Sequence, residues 1–388
     1  MKRLYLVGGN TELRVGGGAN ISISNLEIEL DKLGYDVKVV GANYVEGLAY
    51  SFARLRHISF SPLTSFKITK LYRNWADAIM LFNYFYKTTR GIVKIKSKDT
   101  DSLVVNNGHW CLDSDIIVVR FCMRSYLRCL KDANLYKKLF KYLDLKMFII
   151  LWIERSMLKR KSVRKIVTLS KDSLNSLLSE YPEVKEKTVV IPNGVDKENF
   201  RFSPMERARF RDELGIKNHE TVALFIAGNV YRKNLGIILE VILSSELANR
   251  LRWIILIKAE ESQMVERLSK YKNVIVKYWA GKPSAYYNAS DFLIFPTIYD
   301  TGAKVVLEAL ANGLYCIVSK NSSVGEFINA NEGVVVNGND SLSYTTEIRK
   351  FLISNKSQNH NHGEGRNVLS WTDVANMYNH LIKEMNDE

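Results

Sequence analysis

One short pattern in the first forty residues restricts how the whole chain can fold. A strand-like run, Arg3–Val7, leads through the glycine triplet Gly16–Gly18 into a helical pattern, Ile21–Leu33, and then into a second strand-like run, Val37–Val40. Consecutive strands joined through a helix run parallel, and parallel sheets are covered by helices on both faces. The pattern therefore predicts an α/β fold with functional groups at the carboxyl ends of the strands.

The same alternation of strands and helices continues along the chain. The turn signal Pro192-Asn193-Gly194 interrupts it, and a new series begins with the strand-like run Val222–Ala227. A length of 388 residues is enough for two domains of about 100–200 residues each. We predict an N-terminal Rossmann-like domain over residues 1–195, a second Rossmann-like domain over 196–368, and a terminal helix over 369–388.

The charge of the chain limits its partners. It has 55 Lys and Arg residues against 41 acids, a net charge of +14, which favours nucleic acid, anionic lipid or phosphate-bearing substrates. The segment Arg120–Lys165 alone has fourteen cations against three acids, with aromatic residues between them. The four cysteines form no C-x-x-C pair, and no apolar run has the length of a signal-peptide core or a membrane span. These features are typical of a cytoplasmic protein.

The glycine triplet is the first candidate for a binding site. Gly16, Gly17 and Gly18 lie between a strand and a helix, where backbone N–H groups and the helix dipole favour an anion. A tight turn without a ligand explains the triplet equally well.

Two adjacent cations form the second candidate. Gly228 and Asn229 follow the strand Val222–Ala227 and lead to Arg232 and Lys233, at the carboxyl edge of the second sheet. An arginine can donate two parallel hydrogen bonds to phosphate oxygens, and a lysine adds a point charge, so the two side chains suit a diphosphate. An exposed basic turn is the alternative.

A pair of carboxylates forms the third candidate. Asp300 lies in a loop after the strand that ends at Phe295-Pro296, and Glu308 lies two turns into the following helix. A carboxylate at a ligand site can bind two vicinal hydroxyl groups, because its two oxygens each accept a hydrogen bond. The alternatives are a helix N-cap for Asp300 and a buried, partnered acid for Glu308.

In combination, these motifs resemble the family-4 retaining glycosyltransferases. These enzymes have the GT-B fold, in which two Rossmann-like domains with parallel sheets face each other across a cleft. Five segments match in the family's order: Gly16–Gly18, Lys187–Phe200, Phe225–Leu235, Tyr287–Pro296 and Asp300–Gly313. The resemblance covers nearly the whole chain, and it implies that the helix opened by Ser370-Trp371 crosses back to the first domain.

The resemblance also implies roles for the candidate residues. Asp300 stands where the family has a glutamate that faces the donor sugar, and Glu308 stands where the family binds the ribose hydroxyls. Arg232 and Lys233 then hold the diphosphate and, with Asp300, are the predicted catalytic residues. The remaining predicted donor-binding residues are Gly16, Gly17, Gly18, Gly228, Asn229, Thr301, Gly302, Ala303 and Lys304.

On the acceptor side the chain departs from the family pattern. Arg120 stands where the family usually has a histidine near the acceptor. His109, in the preceding loop, is the candidate to replace that histidine in space, and Arg120 is a candidate for binding a charged acceptor or sugar.

The function implied by the resemblance is transfer of a sugar from a nucleotide-sugar donor to an acceptor hydroxyl, with retention of configuration. No cofactor and no metal are expected, because Arg232 and Lys233 take the place of a metal. We expect a glycan or lipid-linked acceptor at an anionic membrane surface, in the assembly of a bacterial surface polysaccharide such as lipopolysaccharide. The basic and aromatic residues that suggest this surface are Lys67, Lys70, Tyr72, Arg73, Trp75 and the segment Arg124–Lys165. The alternatives are an inactive partner subunit, suggested by Asp300 and Arg120, and a nucleic-acid binder, which would leave the carboxylates unexplained.

Overall fold

The computed structural model describes residues 2–8, 18–41, 66–132, 145–244, 247, 250–257, 263–278, 283–354 and 368–387. The chain divides into two units. Unit 1 comprises Met1–Pro192 and Trp371–Glu388, and unit 2 comprises Asn193–Ser370.

Strands and helices alternate through the first part of unit 1. Its described strands are β1 (Arg3–Val7), β2 (Asp36–Val40), β3 (Leu103–Asn106), β4 (Ile116–Val118), β5 (Lys165–Thr168) and β6 (Thr188–Val190). The helices among them are α1 (Gly18–Lys32), α2 (Phe66–Lys98), α3 (Met123–Asp132), α4 (Leu145–Leu158) and α5 (Lys171–Glu180).

The alternation continues through unit 2. Its described strands are β7 (Val222–Ala227), β8 (Arg252–Ile257), β9 (Val274–Tyr278), β10 (Phe292–Phe295), β11 (Tyr315–Ser319) and β12 (Gly333–Val336). The helices are α6 (Pro204–Glu213), α7 (Leu235–Leu243), α8 (Gln263–Leu268), α9 (Ser284–Ala289), α10 (Lys304–Asn312) and α11 (Ser341–Ile353), and α12 (Trp371–Asp387) then belongs to unit 1. No helix in the described ranges has the length and apolar character needed to cross a bilayer.

The described strands form one parallel sheet in each unit. The order is β2-β1-β3-β4-β5-β6 in unit 1 and β12-β11-β10-β7-β8-β9 in unit 2. In unit 2 the chain moves outward in one direction from β7 and in the other from β10, so β7 and β10 flank the switch point at which such sheets bind ligands. The corresponding point in unit 1 lies between β1 and β3.

The core of unit 2 lies on both faces of its sheet. Phe225 and its alternate neighbours on β7 pack in one apolar cluster with α7 and α11, whereas Leu224 and its alternate neighbours pack in a second cluster with α10. Side chains on a strand point alternately to opposite faces, so a strand covered on both sides must be apolar throughout. This explains why β7 reads as the uninterrupted apolar run VALFIA.

Helix α12 completes unit 1 by packing on α1. The Tyr35 hydroxyl donates to Asn379 Oδ1 at 2.8 Å, and the Thr372 hydroxyl donates to Glu29 Oε2 at 2.9 Å. Trp371 and Tyr378 are buried on the apolar face of α12. The last helix is therefore an integral part of the first unit.

Asp291 fastens α6 to the sheet of unit 2. Its carboxylate accepts from the Val222 N–H at 2.7 Å and from Arg207 Nη2 at 2.6 Å, and it lies 3.5 Å from Arg211 Nη1. The Arg211 side chain is only 2% exposed. A buried cation of this kind is stable only with a partner close by.

We therefore expect Asp291→Ala to lower the free energy of unfolding of unit 2 by about 3–5 kcal/mol, because it leaves Arg211 buried without its carboxylate. Asp212→Ala, at an exposed position on α6, should cost less than ~0.5 kcal/mol. Urea unfolding followed by circular dichroism would compare them. Equal midpoints for the two variants would contradict this role of Asp291.

Candidate functional site

The candidate site of unit 2 forms where the loops after β7 and β10 meet. The carbonyl of Arg232, in the first loop, accepts from the Ile298 N–H of the second loop at 2.9 Å. Within the first loop, the Asn229 side-chain oxygen accepts from the Arg232 N–H at 2.9 Å, and the Asn229 carbonyl accepts from the Lys233 N–H at 3.0 Å. The backbone that carries the two cations is thus held from both loops.

Asp300 binds both cations. Its Oδ2 accepts from Arg232 Nη1 at 3.0 Å and from Lys233 Nζ, while its Oδ1 accepts from the Gly302 N–H at 3.1 Å. The Asp300 N–H donates to the carbonyl of Asn321 at 2.9 Å. Sequence reasoning gave the cations and the carboxylate separate roles, and the structure brings them together in one ion-paired cluster.

Burial sets the protonation of this cluster. It lowers the pKa of Lys233 to about 8, although the charge of Asp300 opposes the shift. Burial alone would raise the pKa of Asp300. The attraction of its carboxylate to Lys233 and Arg232 is stronger than this effect, so the pKa of Asp300 is lowered to about 2. Lys233 Nζ also lies 4.1 Å from the centre of the Phe295 ring, a cation–π contact that sequence reasoning missed. At neutral pH the carboxylate is ionised and the lysine is mostly charged.

Glu308 has two partners of its own. The Tyr287 hydroxyl donates to Glu308 Oε2 at 2.8 Å, and Lys304 Nζ lies 3.6 Å from Oε1. Burial raises the pKa of Glu308, with Lys304 and Tyr287 opposing the shift. The predicted carboxylate is therefore held in one orientation by a tyrosine from α9. Tyr287 begins the matched segment Tyr287–Pro296, but that pattern does not reveal its partner.

The start of α10 supplies backbone donors at the same end of the sheet. The N-cap residue is Ala303, whose methyl group cannot accept a hydrogen bond from the first turn. The Gly302 carbonyl before it is held by Asn193 Nδ2 at 2.9 Å. The first N–H groups of a helix and its dipole attract anions. The predicted residues in these two loops and at this helix start are Gly228, Asn229, Thr301, Gly302, Ala303 and Lys304.

In unit 1 the two predicted acceptor-side residues, His109 and Arg120, follow the ends of β3 and β4. Gly16 and Gly17 lie outside the described residues, and Gly18 is the first residue of α1. Arg120 follows β4 closely, and its Nε donates to Asn107 Oδ1, just after β3. Burial lowers the pKa of Arg120 to about 10, and Tyr378 opposes the shift.

His109 pairs with a carboxylate that sequence reasoning missed. His109 Nε2 lies 3.4 Å from Glu154 Oε2, and the Glu154 side chain is 1% exposed. Glu154 also accepts from the Tyr181 hydroxyl at 2.8 Å and from the Met123 N–H at 2.5 Å, at the start of α3. Its helix α4 is highly apolar, and nothing in that pattern marks the acid as a partner of the distant histidine.

Asp-x-Asp sequences, which can hold a metal ion, occur twice in unit 1, at Asp99–Asp101 and Asp113–Asp115. Asp99 Oδ2 lies 2.7 Å from Arg3 Nη1, and Asp115 Oδ1 lies 2.8 Å from Lys96 Nζ. At least one aspartate of each sequence therefore takes part in an ion pair of the fold. Across the ranges that the structure describes, no three His, Cys, Asp or Glu side chains are grouped so as to hold a metal.

Two family models match the chain, one for each of its two parts. The model described as Glycosyltransferase Family 4 matches residues 16–199, and the one described as Glycosyl transferases group 1 matches residues 206–368. Between them they cover both predicted domains.

Curated relatives match over part of their length. An uncharacterized glycosyltransferase of Methanocaldococcus jannaschii is 21% identical over 228 residues, 54% of this chain and 57% of the relative. The alpha-monoglucosyldiacylglycerol synthase of Acholeplasma laidlawii is 25% identical over 165 residues, 39% of this chain and 41% of the relative. The matches thus span about half the length of these proteins.

Solved structures match along the whole chain. Sucrose-phosphate synthase from Thermosynechococcus elongatus has a TM-score of 0.75 at 13% identity and full coverage of both chains. Anabaena HepE in complex with UDP-glucose has a TM-score of 0.67 at 11% identity, covering 99% of this chain and 100% of the other. At these identities the likeness concerns the fold, and it confirms the predicted α/β fold of the GT-B class.

We expect Asp300→Asn to lower the free energy of unfolding by about 3 kcal/mol at neutral pH, because the substitution leaves Lys233 buried without its carboxylate. The folded-state pKa of Asp300, about 2, lies below the ~3.9 of an unfolded aspartate. The contribution of Asp300 is therefore fully present above pH ~4 and is lost as the pH falls toward 2.

Urea unfolding of both proteins at pH 7 and at acid pH would measure this difference. Glu206→Gln, which breaks the exposed pair with Arg209, is the matched control and should cost less than ~1 kcal/mol. A difference between wild type and Asp300→Asn that is unchanged at acid pH would contradict the ion-pair explanation.

Proposed function

The chain belongs to the group 1 glycosyltransferases of the family-4 type, and on that premise we propose that it transfers a sugar from a nucleotide-sugar donor to an acceptor hydroxyl, with retention of configuration and without a metal. The observation that carries the proposal is the cluster of Arg232, Lys233 and Asp300 beside the start of α10, at the switch point of unit 2.

The donor diphosphate would bind at this cluster. Arg232 offers a planar set of N–H donors, Lys233 adds a second charge, and the first turn of α10 adds backbone N–H groups. The side chain of Arg232 is 28% exposed whereas that of Lys233 is 9% exposed, so the arginine would meet the ligand first. The similar structure of Anabaena HepE, a complex with UDP-glucose, supports the class of donor.

The two carboxylates would bind the sugars of the donor. Lys304 and Tyr287 hold Glu308 in one orientation, and its oxygens can accept from the ribose hydroxyls. Asp300 would face the transferred sugar and would also orient both cations, a second task that its contacts indicate.

Catalysis would be electrostatic. As the bond from the anomeric carbon to the diphosphate breaks, negative charge develops on the leaving oxygen, where Arg232 and Lys233 stabilise it. The acceptor oxygen forms its bond to the same face of the sugar, and its proton passes to the departing phosphate oxygen. This route requires no protein nucleophile and no metal, because the fixed cations supply the charge stabilisation.

The acceptor would be a glycan or a lipid-linked molecule at an anionic membrane surface, as in assembly of a bacterial surface polysaccharide. The net charge of +14 supports such a surface. The similarity to the alpha-monoglucosyldiacylglycerol synthase of Acholeplasma laidlawii supports a lipid acceptor. His109, held by Glu154, and Arg120 are the proposed acceptor-side residues.

The roles of the cations and of Glu308 can be separated by binding measurements. The ligands to compare are UDP, ADP, GDP and inorganic pyrophosphate. Replacing both Arg232 and Lys233 with alanine should lower the affinity for pyrophosphate and for whichever nucleotide binds by at least about a hundredfold, because each charged contact contributes ~1.5–3 kcal/mol. Glu308→Gln should weaken the nucleotide and spare pyrophosphate, which has no ribose. Calorimetry supplies the affinities, with Arg209→Ala as the exposed-cation control. Loss of pyrophosphate binding in Glu308→Gln would refute the ribose assignment.

Transfer itself can be tested with a panel of nucleotide sugars. Thermal shift would first select the donor, because a ligand that binds the folded state raises its stability. Proton NMR of the product formed with a lipid-linked acceptor should then show the anomeric configuration of the donor, at a rate unaffected by EDTA. An inverted product would overturn the proposed mechanism. Donor binding with neither transfer nor donor hydrolysis would instead favour the inactive partner subunit.

A further inference from the structure

Unit 1 carries a group of large apolar side chains on its surface. They lie on the two neighbouring helices α2 and α4, and each is between 46% and 60% exposed. We call this group the aromatic ridge; its members are Ile79, Phe82, Tyr86, Phe148 and Trp152. Single exposed apolar residues are common, but a cluster of this kind marks an interaction surface.

Ring contacts join the two helices into one surface. The Trp152 ring of α4 lies 6.2 Å from the Phe82 ring and 6.3 Å from the Phe85 ring of α2, measured between centroids. Phe85 is 2% exposed and belongs to the core, so it supports the exposed rings from below. Ile79, Phe82 and Tyr86 follow at i, i+3 and i+7, which places them on one face of α2.

Basic residues lie next to the aromatic ridge on the exposed sides of α2 and α4. Arg90 and Lys94 lie one and two turns after Tyr86 on the exposed side of α2, and the Arg90 guanidinium lies 5.7 Å from the centre of the Tyr86 ring. On α4, the exposed Arg155 follows Trp152 by three residues. The sequence of α2 contains eight Lys and Arg residues against the one acid Asp77.

We propose that the aromatic ridge docks unit 1 on an anionic lipid bilayer, with its rings at the level of the headgroups and the neighbouring cations on the lipid phosphates. Tryptophan and tyrosine favour this level because their rings are apolar and carry one polar group. Lysine and arginine next to inserted rings meet the negative surface of the membrane. The charge of the ridge's surroundings favours this partner over a second copy of the chain, whose identical cations would repel.

This surface differs from the one expected from the sequence. The segment Arg120–Lys165 was predicted to dock through its own cations, and residues 133–144 of it lie outside the described residues. The residues at positions 67–75 that were also expected at the membrane belong to α2. Three of the five ridge residues lie further along the same helix. The proposal rests on the part of the proposed function that places the acceptor at an anionic membrane surface. Its test needs neither donor nor acceptor, so its outcome can be distinguished from that of the transfer assay.

Sedimentation of the full chain with vesicles tests the proposal. We expect stronger binding to phosphatidylglycerol vesicles than to neutral phosphatidylcholine vesicles, and release by high salt, which screens the charges. Phe82→Ser with Phe148→Ser should weaken binding by at least about tenfold, because both exposed rings are lost. Leu342→Ser with Ile353→Ser removes two apolar residues of α11 in unit 2 that are more exposed than these rings, and should leave binding unchanged.

Fluorescence gives a second measurement that needs no disruptive variant. Brominated lipids should quench the tryptophan emission of the wild type, and Trp152→Phe should remove most of that quenching while vesicle binding is kept. Equal vesicle binding by the ridge and control variants, or quenching that survives Trp152→Phe, would overturn the proposal. Concentration-dependent self-association without lipid, abolished by the ridge substitutions, would also overturn it and assign the surface to a second copy.

Discussion

The arrangement of the candidate site depends on one carboxylate shared by two cations. Asp300 holds Arg232 and Lys233 at the same oxygen, and Lys233 is buried against the ring of Phe295. Two adjacent positive charges repel each other, and burial disfavours the charged form of the lysine. The carboxylate offsets both effects, so that the loops after β7 and β10 can carry a concentrated positive charge without a ligand. The short side chain of Asp300 keeps this carboxylate close to its own backbone, where the Gly302 N–H donates to it.

The strand order explains why these residues meet although about seventy positions of sequence separate them. β7 and β10 are hydrogen-bonded neighbours, and the chain leaves them on opposite sides of the sheet. Their following loops therefore have no helix packed between them. Polar side chains can gather there without interrupting the apolar faces of the strands, and the start of α10 points its N–H groups to the same place. The fold thus concentrates donors at one end of a sheet that is otherwise apolar on both faces.

Sequence patterns predicted much of this fold. β1 and β7 have the predicted bounds, because buried parallel strands are short, uninterrupted apolar runs. The 33-residue helix α2 was not predicted, because basic residues interrupt its apolar ones and no clear helical period stands out in its sequence. The candidate residues were chosen by type and position along the chain, and their roles stay predictions. Their pairing was not: no spacing rule links Asp300 to Lys233 or His109 to Glu154, because those contacts arise from strand order and from the packing of distant helices.

The route of the chain through the two units also orders their assembly. Unit 2 is one continuous stretch, whereas unit 1 needs α12, whose Trp371 and Tyr378 are buried in it and whose Asn379 binds Tyr35. During synthesis a ribosome releases the chain from its N-terminus, and domains fold as their residues emerge. The sheet of unit 1 emerges first but waits for its last helix until all of unit 2 has followed. The domain that is translated second is therefore the first that can finish folding, and the earlier one spends that interval with the apolar surface beneath α12 uncovered.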